Sequence, residues 1–239
     1  MVIAEQIKQN SPAYVKRRIL WKAMNRIRNT FSKRIYLMWK RYMRKYLDGD
    51  ILAIREAMRI TFVEVGGGFA RHEFKKIINA KALGDVNDSF DSQLANYANT
   101  EMSTISTNIG DTLKDKATKI LNDPDLSEAQ KSDLIDDLIS SRAKIVSDNE
   151  VTRASNIGLG IGATAAILAS QDTFVKTWVS TIDDRIRDGH DRADGQTVRS
   201  NEAFIVAGEA LQAPLDPNGS VGNTINCRCT VVYHKVKPN

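Results

Sequence analysis

Cysteine is nearly absent from this chain: Cys227 and Cys229 are the only two in 239 residues. That excludes a disulfide framework and makes a reducing compartment the expectation. Histidine is scarcer than usual, with His72, His190 and His234 alone. Long apolar runs are missing too. The longest, Ile157 to Ala169, is too short to span a bilayer and is diluted with glycine. Near the start, Ile7-Lys8-Gln9-Asn10-Ser11 breaks the only short apolar run, so no secretory leader is expected. A soluble, cytosolic product without a membrane role follows as the expectation. The last thing missing is acid at one end: no Asp or Glu stands between Lys8 and Lys45.

What is present is ample for a core. Hydrophobic residues make up 42% of the chain and charged residues 26%, the balance of a globular protein. The net charge of +5 hides an asymmetry, because the basic residues of the first 48 positions sit on a chain that is otherwise net acidic. A basic end on an acidic body suits a polyanion or an acidic protein surface.

Pro12 with Ser11 as N-cap opens a helix. Leu20, Met24, Ile27, Phe31, Ile35, Met38 and Tyr42 keep one apolar stripe to Leu47. The expectation is one long helix from Pro12 to Leu47, with a bend at Asn29-Thr30 as the alternative. Trp21, Tyr36, Trp39 and Tyr46 are assigned to the faces that carry the cations. Three readings of this arm are open: a solvated helix packed on the body, docking on an acidic protein, or contact with nucleic acid. In the last, Lys16, Arg17, Arg18, Lys22, Arg26, Lys33, Arg34, Lys40, Arg41, Arg44 and Lys45 would neutralise phosphates without reading sequence.

Asp48-Gly49-Asp50 punctuates the chain, and a second helical segment runs from Ile51 to about Ala82. Gly66-Gly67-Gly68 inside it predicts either a break or a close-packing contact. His72 is expected to be an ordinary surface or core residue. A polar helix capped by Asn87 or Asp88 is expected from Ser89 to Leu121. Its thin face of Leu94, Tyr97, Met102, Ile105, Ile109, Leu113, Ala117 and Ile120 suggests an exposed, partner-dependent element. Ser127 to Gln130 forms a capping box, and a further helix, or the same one bent, is expected from Ile145 to about Ala169. Gly158, Gly160 and Gly162 alternate in helical context. They lack the strand and spacing of a dinucleotide loop and read as close-packing positions.

After Ser170 the pattern turns to strands: Phe174 to Thr181, Gln196 to Val198 after the Asp194-Gly195 turn, Phe204 to Val206, and Cys229 to Tyr233. The fold class expected is α+β, with a long-helix amino-terminal region and a small carboxy-terminal module built on a short antiparallel sheet. The divisions are residues 1–48, 49–140 and 141–239.

Cys227 and Cys229, two apart on an extended chain, share a face, with Arg228 opposite. With His190 they are three soft ligands, and Asp183, Asp191 or His234 could complete a tetrahedral zinc site. Zinc is thus the candidate cofactor. The plain alternative is two buried thiols beside a structural histidine. Asp183, Asp184, His190 and Asp191 are also nuclease-like residue types, but without diagnostic spacing, and no enzyme is expected.

The segment 141–233 resembles the phage Mu F-like head morphogenesis proteins, the minor head or minor capsid family. The likeness is carried by Arg142-Ala-Lys to Asn149-Glu150-Val-Thr-Arg153 and Asn156-Ile-Gly158, then Trp178, Asp183, Arg185, Arg187, His190, Asp194-Gly195, Phe204, Gly208, Pro214, Asp216-Pro217 and the closing Asn226-Cys227-Arg228-Cys229. Asn149 departs from the threonine common there. The resemblance implies a virion component in few copies, added near the portal vertex during head assembly in the host cytoplasm. Portal or capsid proteins would be its partners, with double-stranded DNA and genome exit in some relatives, and no small-molecule substrate.

Overall fold

The computed structural model describes residues 11–78, 84–181, 183 and 185–236. Lys8, the expected helix end near Ala82, and Asp184 lie outside the described residues.

The first helix, α1 (Pro12–Leu47), is unbroken. Its 36 residues make a rod of about 54 Å at about 1.5 Å per residue. Ser11 caps it by accepting the Tyr14 N–H at 3.2 Å. Arg44 and Lys45 face the negative end of the dipole, and Gly49 at φ +105° turns the chain out. Asn29-Thr30 causes no bend, because the buried face runs on through Met24, Arg28, Ile35, Trp39 and Met43. Trp39 is therefore a correction: it is fully buried, and its indole N–H donates to Thr61 Oγ1 at 3.1 Å.

Next come α2 (Ala53–Thr61), one π-helical segment (Phe62–Gly66) and α3 (Gly67–Ile78). The glycine triplet does not break the helix. It lies where the wide π turn passes into α3, a common place for a local widening. Its purpose is visible on α6 (Glu128–Ser170), the spine of the molecule. A Cβ on Gly158 would stand 2.1 Å from the Gly66 carbonyl oxygen, and one on Gly162 would stand 2.2 Å from that of Ala70. The two backbones touch, so neither position admits a side chain. Ser127 and Gln130 form the expected capping box at the start of α6, and α6 ends at Gln171 in the left-handed region (φ 56°).

The segment expected as one exposed helix from Ser89 to Leu121 is two helices, α4 (Gly84–Thr100) and α5 (Ser103–Leu121). The first starts ahead of the Asn87 or Asp88 cap expected for it. Nor is the apolar face free: Phe90, Leu94, Met102 and Leu113 are buried. The face looked thin because its neighbours approach closely. Gly110 lies under the Tyr46 ring, where a Cβ would be 2.8 Å from the phenol oxygen. Ser106, also buried, returns its hydroxyl to the Met102 carbonyl.

The carboxy-terminal module holds β1 (Phe174–Val179), α7 (Asp188–Ala193), β2 (Thr197–Arg199), β3 (Phe204–Val206), β4 (Glu209–Leu211), α8 (Val221–Thr224) and β5 (Thr230–Lys235). One antiparallel sheet has the order β2-β1-β5, and β3-β4 is a separate hairpin. The architecture is α+β, as expected. Val179 pairs with Thr230, which sets Cys229 beside the chain leaving β1. The main apolar core is continuous from Met24 on α1 to Tyr233 on β5, with Trp39, Phe62, Leu94, Leu159 and Trp178 in it. The 140/141 division falls inside α6.

Candidate functional site: a thiol–imidazole cluster latched by Arg28

β1 and β5 deliver the two halves of the site, and α7 supplies its centre. His190 is buried on α7, edge-on to the Trp178 ring at 5.6 Å between centroids. Ser180 at the end of β1 holds α7 twice: its hydroxyl donates to the His190 carbonyl (2.5 Å), and its N–H donates to Asp194 Oδ1 (3.0 Å). The His190 ring turns its Nδ1 towards both sulfurs, 3.5 Å from Cys227 Sγ and 3.5 Å from Cys229 Sγ. Both thiols are buried and unbridged. His190 Nε2 and Trp178 Nε1 are buried without a hydrogen-bond partner among the described residues. A cavity of about 350 Å³ opens beside the cluster, lined by Asn149, Thr181, Arg187, His190, Cys227 and Cys229, among others.

Arg28 was not anticipated here. It reads as one more member of the basic run, yet it is 3% exposed. Its Nε donates to Ser155 Oγ (2.7 Å), Nη2 to Asn156 Oδ1 (3.3 Å) and to the Cys229 carbonyl (3.5 Å), and Nη1 to the Arg228 carbonyl (3.4 Å). All four acceptors are formally neutral. Burial pulls Arg28 down to about 10, and negative charge on Cys227 and Cys229 opposes that pull. Burial also pushes the Cys227 thiol up, but hydrogen bonding to Cys229 and the charges of Arg187 and Arg28 outweigh it, leaving the thiol below its ordinary value. Cys229 is pushed well above that value by burial, with Cys227 adding to the push. A helical wheel could have found Arg28, since it sits four residues from Met24 on the stripe that continues to Ile35.

Asn156 is the joint of the site. Its Oδ1 accepts from Arg28, from Thr230 Oγ1 (3.1 Å) and from the Val231 N–H (3.2 Å), while Nδ2 donates to the carbonyls of Cys229 (3.2 Å) and Pro214 (3.3 Å). Asn149 accepts the Asn226 N–H at 2.8 Å. It thereby holds a residue whose φ is +56°. Glu150 pairs with Arg153, whose Nε donates to the Leu215 carbonyl (2.9 Å). Arg187 donates to the Ile225 carbonyl.

Asp183 is bound by Arg228, with a 2.8 Å bond from Nη2 to Oδ1, and by Arg185. The Arg228 hydrogen bond holds its carboxyl below the usual carboxylate value, against a smaller opposing effect of burial. Neither Asp183, Asp191 nor His234 joins the ligand cluster found among the described residues, which is His190, Cys227 and Cys229. His234 lies opposite Val175 at the far end of β5.

A family model described as "Phage Mu protein F like protein" matches residues 72–232. The chain belongs to this family. Its membership makes this Mu F-like chain a phage head-associated protein. The match begins well before the motif-bearing segment from residue 141, so it takes in α4, α5 and the first half of α6. No match is found among curated proteins or among solved structures. Among the described residues no helix is long and apolar enough to cross a membrane.

The basic arm divides in two. Arg17 turns inward, with Nη2 2.8 Å from Asp194 Oδ2, and it would meet any Cβ on Gly195 (φ +81°). Trp21 donates its indole N–H to the Arg228 carbonyl (2.9 Å). Arg34 pairs with Glu64, and Arg44 pairs with Asp136. Lys16, Arg18, Lys22, Arg26, Lys33, Arg41 and Lys45 are exposed, and Lys40 is half-buried. Three rings of the arm carry cations: Arg34 over Phe31, Lys40 over Tyr36 and Lys45 over Tyr42, the last at 4.9 Å. A second buried cation that went unanticipated is Lys176 on β1. Its Nζ donates to the Gln212 carbonyl (2.8 Å) and lies 5.1 Å from the Phe204 ring centre. A lysine inside a strand pattern gives no sign that it is buried.

Proposed function

We propose that this Mu F-like chain is a minor head protein, present in few copies at the portal vertex. It would enter the virion during assembly in the host cytoplasm and contact packaged double-stranded DNA through the outer face of α1, with a role in packaging or ejection. The observation that supports this is the cationic face itself. Lys22, Arg26, Lys33 and Arg41 are exposed on the side of α1 away from Met24, Ile35, Trp39 and Met43, and α1 contains no acidic residue. The face runs along a rigid rod, which suits a duplex backbone better than single strands, because Phe31, Tyr36 and Tyr42 already carry cations over their rings. The reading assigns the protein no turnover of nucleic acid, and portal or capsid subunits are its protein partners.

The test is a salt titration of duplex binding with the variant Lys22→Gln/Arg26→Gln/Lys33→Gln/Arg41→Gln. These four residues have no ion pair among the described residues, so the fold should persist. Each lost phosphate contact lowers the slope of log K against log salt by about 0.9. The four together should flatten the slope by roughly 3 to 4 and remove binding at physiological salt. An unchanged slope rejects DNA as the partner. If wild-type protein ignores DNA but the variant fails to enter particles, the face docks on an acidic head protein instead.

A further inference from the structure

We propose that His190, Cys227 and Cys229 bind one zinc ion, with the fourth position of the metal opening on the adjoining cavity. Three features of the cluster converge on this.

The first is distance. Zinc bonds sulfur at about 2.3 Å and imidazole nitrogen at about 2.0 Å, so tetrahedral angles place N and S about 3.5 Å apart and two sulfurs about 3.8 Å apart. Both Nδ1–Sγ separations here are 3.5 Å, and the three donor atoms lie within 4.8 Å of one another. One ring nitrogen has a single in-plane lone pair or a single proton, so it can serve only one thiol as a hydrogen-bond partner. Two sulfurs at equal distance from the same nitrogen are what a shared cation calls for.

The second is orientation. His190 presents Nδ1 to the sulfurs and leaves Nε2 buried without a partner among the described residues. Trp178, edge-on to the ring, and the Ser180 hydroxyl on the His190 carbonyl hold it there. A histidine with only a packing role would be free to turn one nitrogen to a backbone carbonyl.

The third is the set of donors and the space beside them. Two sulfurs and one imidazole are soft donors that select zinc over calcium or magnesium. Asp183 is held by Arg228 and Arg185, His234 lies at the far end of β5, and the cavity of about 350 Å³ leaves ample room for a water, which fills about 30 Å³. Three protein ligands with one open position is the arrangement that binds an exchangeable fourth ligand. Arg187 lines the same cavity, so an anionic fourth ligand such as hydroxide is favoured there.

The zinc would join α7 to the start of β5 and add to the stability of a module made largely of short elements. This proposal stands apart from the DNA reading, because none of the three ligands lies on the outer face of α1.

Full-length protein purified without chelator, as wild type and as Cys227→Ser/Cys229→Ser, is assayed by elemental analysis. Wild type should carry about one zinc per chain, and the variant less than a tenth of that. Since the variant could fold poorly, wild type is also stripped with a strong chelator and refilled with cobalt. Thiolate-to-cobalt charge-transfer bands and tetrahedral ligand-field bands should then appear, and zinc should abolish them. The melting midpoint of the wild type should fall on stripping and recover with zinc. A folded wild-type protein that arrives metal-free and gives no cobalt bands overturns the proposal, as does a folded variant that holds as much zinc as wild type.

Discussion

Gly158→Ala should loosen the whole molecule although it adds one methyl group. The new Cβ would lie 2.1 Å from the Gly66 carbonyl oxygen, against an ordinary contact of about 3.5 Å between non-bonded heavy atoms. No rotamer relieves this, because the obstacle is backbone, so α6 and the π-helical segment must separate by more than about 1 Å. Overpacking on this scale costs about 3 kcal/mol. Replacing glycine by alanine inside a helix returns about 1 kcal/mol. The expected net loss is about 2 kcal/mol, a fall of roughly 4 to 8 °C in melting midpoint for a chain of this size. Gly160→Ala is the control on the same helix. Its Cβ would meet only the Tyr233 hydroxyl, at 3.2 Å, so its effect should be neutral or slightly stabilising. Gly158→Ala/Gly162→Ala should cost less than the sum of its parts, since one separation relieves both clashes. The assay is urea unfolding followed by far-UV circular dichroism. If Gly158→Ala and Gly160→Ala behave alike, or if the double variant is fully additive, the close crossing is not what the glycines serve.

Two further perturbations test the latch. Asn156→Ala removes five hydrogen bonds from buried groups, each worth about 1–3 kcal/mol when a partner is stranded. They are not additive, and a loss of about 3–5 kcal/mol with an unchanged urea slope is expected; under 1 kcal/mol would deny the joint its role. Asp183 has a folded-state pKa below its unfolded value of about 3.9, so its pairing with Arg228 stabilises fully above that value and fades as pH falls through the folded one. Asp183→Asn should therefore cost under about 1 kcal/mol at pH 7 and progressively less as pH falls below about 3.9, as read from denaturation curves across that range.

Legibility followed local chemistry. The Ser11 and Ser127 caps, the strand at Phe174 and the closing strand could be read from residues three or four apart. The grouping of His190 with Cys227 and Cys229 was legible because two of its members are close in sequence and the third is one of only three histidines. Lys176 was not legible and Arg28 only by its place on the apolar stripe, because the acceptors that satisfy a buried cation lie far away in the chain. The α4–α5 face misled for a related reason. Large apolar residues advertise burial, whereas Gly110 and Ser106 achieve it by letting neighbours approach closely. Gly158 and Gly162 were read correctly as close-packing positions, whereas Gly160 meets only the Tyr233 hydroxyl, and the backbones they pack against, at Gly66 and Ala70, could be seen only in three dimensions.

The Arg28 latch also sets an order of events during synthesis. Its Arg228 acceptor is 200 residues further along the chain, which a ribosome adding about 5–20 residues per second reaches only after some 10–40 s. Throughout that interval the nascent amino-terminal rod must keep a guanidinium in water that the finished protein holds dry. The rod can therefore seat fully only after residues 228 and 229 have been made, and a chain terminated before them would leave Arg28 with Ser155 and Asn156 alone as acceptors.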